Sequence, residues 1–334
     1  MEKSEKIAII HHWDSDGIAS STIITNMLKR KEFFFYIPKI GVYNIESIDI
    51  NRLRDLSPST ILILDYGIST KELSKLKDIL DVNIAIIDHH VNNIVDNITL
   101  CNPIAFGYSG SSYPSTTWVI KELLRVEDLD DIIALGLLGD LGKSIISHKL
   151  NEWILKICQK HNLALSELFE AVNIIDSCYK LIDEDCINYA RNTLIKQGVK
   201  GVLNNEFLKN KFETLKMVVD YALKNVDLIK DYGVIKLFEL SNDYYITSHI
   251  GREIAYRFKN NVIILKHFIQ KLDLTYIYVR SYKYRLRNIL EKLRHEGLHV
   301  GGKDYVFVVT CNNNCYEELD LILKVLMKHL GGYS

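Results

Sequence analysis

The residues in this sequence that are best suited to chemistry lie in short polar clusters, and each cluster follows an apolar run. The clusters contain His11, His12, Asp14 and Asp16 in HHWDSDG, Asp65 in DYG, Asp88, His89 and His90 in DHH, and Asp140 in LLGDLG. Carboxylates that converge on one cleft repel each other and raise one another's pKa values, and a bound cation is the usual remedy. Mixed carboxylate and imidazole ligands favour Mn²⁺, Fe²⁺ or Zn²⁺ over Mg²⁺ or Ca²⁺.

The candidate ligands are more numerous than one ion needs, so the sequence predicts two metal ions. A pair of divalent ions can polarise an oxyanion, activate a water molecule and stabilise a leaving oxygen. This chemistry is typical of the cleavage of phosphoesters and phosphoanhydrides.

Short apolar runs must position these clusters. KIAII (6–10), TILIL (60–64) and NIAII (83–87) have the length and composition of strands buried on both faces. Helix-like stretches at 18–31 and 70–80 alternate with them, which predicts an α/β fold with a doubly wound, mostly parallel sheet. Ligands of such sheets bind beyond the carboxyl ends of the strands, where these clusters lie.

The remainder of the chain changes pattern twice. From about residue 150 to residue 229 the apolar spacing is mostly helical, and after residue 231 strands and helices alternate again. We therefore expect a two-metal domain at 1–190, a helical linker at 191–230 and a second, smaller α/β domain at 231–334.

The composition excludes several classes of protein. The net charge of −1 provides no overall field that attracts a polyanion. The apolar runs all fall short of the roughly 18 residues of a membrane span, so we expect a cytoplasmic protein without a membrane partner. The six cysteines are scattered, and we expect them to be reduced thiols.

The motifs WDSDG, LDYG, DHH and LLGDLG, in this order, resemble those of the DHH phosphoesterase superfamily over roughly the first half of the chain. The superfamily includes RecJ-type exonucleases, short-oligonucleotide exonucleases, cyclic-dinucleotide phosphodiesterases and family II pyrophosphatases. The resemblance implies two divalent ions, with Mn²⁺ favoured and Mg²⁺ or Co²⁺ as alternatives. It implies that Asp65 bridges both ions, that Asp14 and a histidine complete the first site, and that the second is completed by Asp16, His89 and Asp140.

The resemblance also assigns roles beside the ions. His90 faces the substrate phosphate, and Asp88 orients a ligand imidazole. Many members place the first histidine four residues before the first aspartate, a position that is Ile10 here. Other relatives place it two residues before, so His12 is the favoured ligand and His11 the alternative.

The segments YIYVRS (276–281) and HVGGKDYVFVVT (299–310) resemble the C-terminal DHH-associated domain, which holds substrate. Substrate contacts are thereby expected from Arg280, Ser281, Gly301, Gly302 and Lys303. Glycines let backbone N–H groups approach a phosphate, and arginine can bind one bidentately. Lys303 replaces the usual histidine of this domain, and it can bind phosphate only as a point charge. A tight turn is the alternative role for the two glycines.

The resemblance implies a metal-dependent phosphodiesterase that hydrolyses short oligonucleotides or single-strand ends of RNA or DNA with a water activated by two metal ions. One alternative is a cyclic-dinucleotide phosphodiesterase. Another is a RecJ-like, non-catalytic scaffold in a replication or repair complex. The replacement of the usual histidine by Lys303 in the glycine segment favours this alternative. A homodimer and a replication or repair protein are the partners considered beside the nucleotide substrate.

Overall fold

The computed structural model of the protein describes residues 6–28, 31–44, 48–90, 97–298, 300–312 and 315–330. The chain forms two compact units, and the first comprises residues 1–179 and 183–212. The second comprises residues 180–182 and 213–334. The functional division at residues 190 and 230 stays a prediction.

The first unit contains a five-stranded sheet in which every pair of neighbours is parallel. Its strands are β1 (Lys6–His11), β2 (Glu32–Tyr36), β3 (Thr60–Leu64), β4 (Asn83–Ile87) and β5 (Thr99–Cys101), in the order β2-β1-β3-β4-β5. The predicted α/β fold with a parallel sheet is confirmed, and β1, β3 and β4 coincide with the three apolar runs. The chain order reverses between β1 and β3, which is where such sheets bind ligands.

The register of this sheet aligns the polar clusters. His11 pairs with Leu64, and Leu64 pairs with Ile87. The next residue along each strand is therefore His12, Asp65 or Asp88, and all three emerge at one edge of the sheet.

The helices of this part of the chain are α1 (Ser15–Met27), α2 (Ile50–Leu56), α3 (Thr70–Ile79), α4 (Thr116–Leu124), α5 (Asp130–Leu141), α6 (Asn151–His161), α7 (Leu165–Lys180) and α8 (Glu184–Leu203). Helix α1 begins three residues earlier than the apolar spacing predicts, because the Asp14 side chain caps it by accepting from the N–H of Gly17. Helix α9 (Glu206–Asn225) follows. Within the part of the chain that the structure describes, no helix combines the length and apolar character that a membrane span requires.

The second unit contains a mixed, six-stranded sheet. Its strands are β6 (Asp227–Tyr232), β7 (Ile235–Asn242), β8 (Val262–Ile269), β9 (Leu274–Ser281), β10 (Val300–Lys303) and β11 (Val306–Asn312), in the order β10-β11-β9-β8-β7-β6. Helices α10 (Thr247–Arg257), α11 (Arg287–His295) and α12 (Tyr316–Leu330) belong to the same unit. One core contains Ile277, Val279 and residues of α11 and α12. Tyr278 and residues of α10 belong to the other core.

Four of the six cysteines are paired, which corrects the expectation of reduced thiols. Cys178 and Cys186 form a disulfide with Cα atoms 5.2 Å apart. Cys311 and Cys315 form another, with a Cα separation of 5.9 Å. Both pairs are close in sequence and flank a junction between two elements. The spacing of Cys311 and Cys315 allows a redox or metal pair, whereas that of Cys178 and Cys186 gives no such signal in the sequence.

Candidate metal centre

Asp65 lies at the centre of the polar edge of the first sheet. It follows β3 directly, and its N–H donates to the carbonyl of Ile87, 3.1 Å away. Its backbone is left-handed, with φ of +57°. Aspartate tolerates this conformation better than most residues. The side chain is only 2% exposed, so its carboxylate is buried among protein atoms and does not face bulk solvent.

The first group of candidate ligands joins the end of β1 to Asp65. Its members are His12, Asp14 and Asp65, and their ligand atoms all lie within 4.8 Å of one another. Nδ1 of His12 is 2.8 Å from Oδ2 of Asp14 and 3.9 Å from Oδ2 of Asp65. The short turn between β1 and α1 produces this arrangement, since Asp14 is the residue that caps α1.

The second group shares Asp65 with the first and adds residues from α1, α5 and the end of β4. Its members are Asp16, Asp65, His89 and Asp140, again within 4.8 Å. Nε2 of His89 lies 3.2 Å from Oδ2 of Asp140 and 3.5 Å from Oδ1 of Asp65. The structure thus brings together all the acidic ligands that the resemblance implies, with Asp65 common to both groups.

Two ring nitrogens show that these groups fit metal ions. Nδ1 of His12 and Nε2 of His89 are buried, and neither makes a hydrogen bond of good geometry among the described residues, although both lie close to carboxylate oxygens. Both nitrogens face carboxylate oxygens. Neutral imidazole nitrogens and carboxylates are the donors that Mn²⁺ and similar divalent ions take in proteins. The donor set therefore fits two divalent ions that share one carboxylate.

The electrostatics of the cluster also favour a cation. Burial raises the pKa of Asp65 well above its ordinary value, and the carboxylates of Asp16, Asp14 and Asp140 raise it further. Burial, with the neighbouring His90, lowers the pKa of His89 and favours its neutral form. A metal ion binds histidine in its neutral form, and the positive charge of the ion would offset the repulsion among the crowded carboxylates.

Thr116 and Thr117 hold two of these carboxylates, although the sequence motifs predict no catalytic role for this Ser/Thr-rich segment. The N–H of Thr116 donates to Oδ2 of Asp16 at 2.6 Å, and its hydroxyl donates to Oδ1 of Asp65 at 2.9 Å. The N–H and hydroxyl of Thr117 donate to Oδ1 of Asp16 at 3.1 and 2.7 Å. Helix α4 therefore presents its N-terminus to Asp16. The only sequence signal for this role is the Ser/Thr run after a polar loop.

Gly136 of α5 allows this close approach. A Cβ atom at this position would lie 2.6 Å from Oδ1 of Asp16 and 2.5 Å from Cγ2 of Thr117. A larger residue would displace the carboxylate or the helix that holds it. This glycine, which directly precedes the LLGDLG motif, thus has a packing role beside the acidic cluster.

Asp88 and His90 form a hydrogen-bonded pair at the end of β4. Oδ1 of Asp88 accepts from Nδ1 of His90 at 2.8 Å and from the N–H groups of His89 and His90. Oδ2 accepts from the N–H of Gly67 at 3.1 Å. Burial would raise the pKa of Asp88, but these contacts with His90 outweigh it and lower the pKa. Asp88 therefore orients His90, whose side chain is 45% exposed.

His11 does not join the cluster, so the structure does not support it as the alternative ligand. Its side chain is fully buried. Nδ1 lies 2.7 Å from the carbonyl oxygen of His12, and Nε2 lies 3.2 Å from Nη1 of Arg191. Both ring nitrogens are thus occupied within the protein. Burial, with the nearby charge of Arg191, lowers the pKa of His11 to about 3.

Tyr43 contacts the other ring nitrogen of His12. Its hydroxyl lies 3.1 Å from Nε2 of His12, and the two rings stack with centroids 5.8 Å apart. A loop tyrosine 31 residues away gives no motif signal, so sequence reasoning could not identify it.

The predicted substrate residues of the second unit divide between the faces of its sheet. Arg280 on β9 pairs with Val306 on β11, and Val306 pairs with Lys303 on β10. Directly paired residues point to the same face, so Arg280 and Lys303 lie on one face about 10 Å apart. Gly301, two residues before Lys303, shares that face.

Ser281 and Gly302 have structural roles that the resemblance did not anticipate. The Ser281 hydroxyl donates to the carbonyl of Asn261 and accepts from the N–H groups of Lys283 and Tyr284. These contacts use the whole hydroxyl within the chain. A Cβ atom on Gly302 would lie 2.6 Å from the Cα of Phe307, whereas one on Gly301 would meet nothing described within 4 Å. Packing explains Gly302 but not Gly301.

Comparisons with known proteins agree with this geometry. The model of the DHH family, N-terminal domain, matches residues 6–139. None of the curated protein sequences matches the chain significantly. A solved DHH domain described as a member of a family of ribosomal proteins has 17% identity and a TM-score of 0.63, and the match covers 99% of this chain and 87% of that one.

Two further solved structures share the fold. RecJ from Thermus thermophilus in complex with Mn²⁺ has 13% identity and a TM-score of 0.63, and the match covers 98% of this chain and 52% of that one. This chain thus spans about half the length of that protein. CDC45 from Entamoeba histolytica has 13% identity and a TM-score of 0.52, with 97% and 95% of the two chains covered. Residues 6–139 thus match the N-terminal domain of the DHH family, and they contain most of the ordered motifs that resemble it.

Proposed function

We propose that this protein is a metal-dependent phosphodiesterase that hydrolyses short oligonucleotides or the ends of single-stranded RNA or DNA. The observation that carries the proposal is the sharing of Asp65 by two groups of candidate ligands. His12 and Asp14 would hold one ion with Asp65, and Asp16, His89 and Asp140 would hold the other. Two bound divalent ions would supply Lewis acidity and a means of activating water.

The side chains of the protein prepare this chemistry in three ways. Thr116 and Thr117 fix the carboxylates of Asp65 and Asp16 by hydrogen bonds. Asp88 fixes the ring of His90 through Nδ1. Nε2 of His90 is then the ring atom that remains to bind a substrate phosphate.

The second unit would bind phosphate groups of the substrate. Arg280 and Lys303 supply two cationic side chains on one sheet face, and Gly301 leaves its backbone accessible beside them. Nη1 of Arg280 donates to the hydroxyl of Tyr278 at 3.1 Å, and its guanidinium lies over the ring of Tyr282, 5.0 Å from the centroid. These contacts hold the guanidinium in one orientation, which favours recognition of an anion.

A hydrolysis assay on labelled dinucleotides, longer RNA and DNA strands and cyclic dinucleotides, with Mn²⁺ and with EDTA, tests the proposal. We expect Mn²⁺-dependent turnover of short linear substrates that Asp65→Asn and Asp140→Asn abolish. Asp320→Asn, which changes an exposed carboxylate of α12, serves as the matched control. Faster turnover of cyclic dinucleotides would replace the proposed substrate class. Mn²⁺ binding without turnover of any substrate would favour a scaffold role and contradict the proposal.

A further inference from the structure

Arg191 of α8 is a buried cation that contacts His11, the neighbour of the candidate ligand His12, and the proposed mechanism does not use it. The residue is 4% exposed. Its guanidinium lies 3.6 Å from the centroid of the Phe35 ring, and its Nη1 is 3.2 Å from Nε2 of His11. Nε has no hydrogen-bond partner among the described residues. Burying a charge beside an aromatic ring and an imidazole, rather than a carboxylate, is costly, so a role for this charge is expected.

The contact between Arg191 and His11 determines which ring nitrogen of His11 carries the proton. A guanidinium has donors only, so Nε2 of His11 must be the acceptor. In the neutral ring the proton then belongs to Nδ1, which donates to the carbonyl of His12 at 2.7 Å. The buried arginine thus selects one tautomer of His11, and that tautomer holds the backbone of the next residue.

The backbone of His12 is confined from the other side as well. A Cβ atom on Gly17 would lie 2.7 Å from the Cβ of His12, so the first turn of α1 packs directly on this residue. The N–H of His12 donates to the carbonyl of Leu64 at 3.1 Å. With its N–H and carbonyl both held, His12 has little freedom to turn Nδ1 away from Asp14 and Asp65.

We propose that Arg191 is a positioning residue for the first metal ion, acting through His11 on the backbone of His12. The inference rests on the proposed function, because it assumes that His12 binds a metal ion through Nδ1. It adds a residue from outside the family motifs, 180 positions away from His11, to the apparatus that prepares the site. Residues that orient metal ligands typically change metal affinity by about 10- to 100-fold when they are replaced.

Titration of the full chain with Mn²⁺, followed by calorimetry, tests this role without requiring a substrate. We expect Arg191→Met to reduce the affinity for one of the two Mn²⁺ ions about 10-fold or more and to leave the affinity for the other close to that of wild type. Arg191→Lys should restore part of the loss, because an ammonium can still donate to Nε2 of His11. If Arg191→Met binds each of the two Mn²⁺ ions with the same affinity as wild type does, the inference is overturned.

A second pair of variants separates the two hydrogen bonds of His11. In His11→Asn the amide can still donate to the carbonyl of His12, whereas in His11→Gln it can still accept from Arg191 but lies too far out to replace Nδ1. We expect His11→Asn to retain more Mn²⁺ affinity than His11→Gln. The reverse order would contradict the proposed connection through the His12 carbonyl, and this comparison remains decisive if Arg191→Met fails to fold.

A metal-free measurement tests the same chain of contacts. Nitrogen-15 NMR of the imidazoles in EDTA should show the Nδ1–H tautomer for His11 in wild type and a mixture of tautomers in Arg191→Met. An Nε2–H tautomer in wild type would overturn the inference. Hydrolysis is measured separately, so a wild type that binds two Mn²⁺ ions but hydrolyses nothing refutes the proposed activity alone. A wild type that binds no Mn²⁺ refutes both.

Discussion

The hydroxyl of Thr116 donates to Oδ1 of Asp65 at 2.9 Å, so the helix that binds Asp16 through its backbone also contacts the carboxylate shared by both ligand groups. One structural element, the N-terminus of α4, therefore fixes the positions of two acidic ligands. The helix dipole favours negative charge at this end. The acidic ligands are thus held in place before any ion binds.

Replacement of Thr116 should weaken metal binding without unfolding the protein. Thr116→Val keeps the shape and the N–H contact with Asp16 but removes the hydroxyl from Asp65. We expect Mn²⁺ affinity to fall about 10-fold, the size typical for the loss of a ligand-orienting contact. Thr116→Ser, which keeps the hydroxyl, is the matched control in a Mn²⁺ titration. Unchanged affinity in Thr116→Val would show that this hydrogen bond does not prepare the site.

Asp65 should destabilise the metal-free protein at neutral pH. Burial and the neighbouring carboxylates raise its pKa in the folded state, whereas the unfolded chain has a value of about 3.9. The folded state then binds more protons than the unfolded state, so the free energy of unfolding decreases as the pH rises above about 4. Asp65→Asn removes this effect, and asparagine tolerates the left-handed backbone.

Urea unfolding in EDTA at several pH values measures this effect. We expect Asp65→Asn to be more stable than wild type at pH 7 and the difference to shrink as the pH falls through 4, because Asp65 then becomes protonated in the unfolded state as well. Asp320→Asn should show no such trend. If Asp65→Asn is less stable than wild type at every pH, repulsion among the buried carboxylates does not destabilise the metal-free protein.

His90 should affect hydrolysis more than metal binding. Its Nδ1 is held by Asp88, and the proposed function uses its other nitrogen for the substrate phosphate. His90→Asn keeps an amide donor near Asp88 but removes Nε2, and we expect kcat/KM to fall about 100-fold. The variant should still bind two Mn²⁺ ions. Loss of an ion together with activity would instead make His90 a metal ligand, which its place near Asp65 and His89 allows.

Lys303 tests whether the second unit contributes to substrate binding. Its side chain is exposed and shares a sheet face with Arg280. We expect Lys303→Met to raise KM about 10-fold and to leave kcat and Mn²⁺ binding unchanged, as for a contact made equally in the ground state and the transition state. Lys328→Met, at another exposed position of the same unit, should leave KM unchanged. If Lys303→Met has the same KM as the control Lys328→Met, Lys303 does not contribute to the proposed substrate site.

The acidic ligands could be predicted because strand periodicity and motif order place them. His12, Asp65 and Asp88 follow apolar runs, and a parallel register brings the ends of such runs to one edge. Strand β2 was not predicted, although EFFFY is apolar and aromatic, because no polar cluster follows it. Gly301 and Gly302 were expected in a phosphate-binding segment or a turn, whereas they lie on strand β10.

The residues that orient the ligands could not be predicted from local patterns. Thr116 reaches Asp65 across 51 residues, and Arg191 reaches His11 across 180. Each lies on a helix, and the apolar spacing of a helix predicts which face is buried but not which distant residue a polar side chain contacts. The partners of the Thr116 hydroxyl and the Arg191 guanidinium therefore depend on tertiary packing. The same reason explains His11, which the resemblance left as the alternative to the favoured ligand His12. In a strand, adjacent side chains point to opposite faces, and the structure directs His11 to Arg191.

Anomalous diffraction at the manganese edge from crystals grown with Mn²⁺ tests the central claim most directly. We predict two peaks on either side of Asp65, one next to His12 and Asp14 and the other next to Asp16, His89 and Asp140. The same experiment on Asp65→Asn should lose both peaks or reduce them strongly. Fully occupied peaks elsewhere, or no peak near Asp65 in the wild type, would contradict the account.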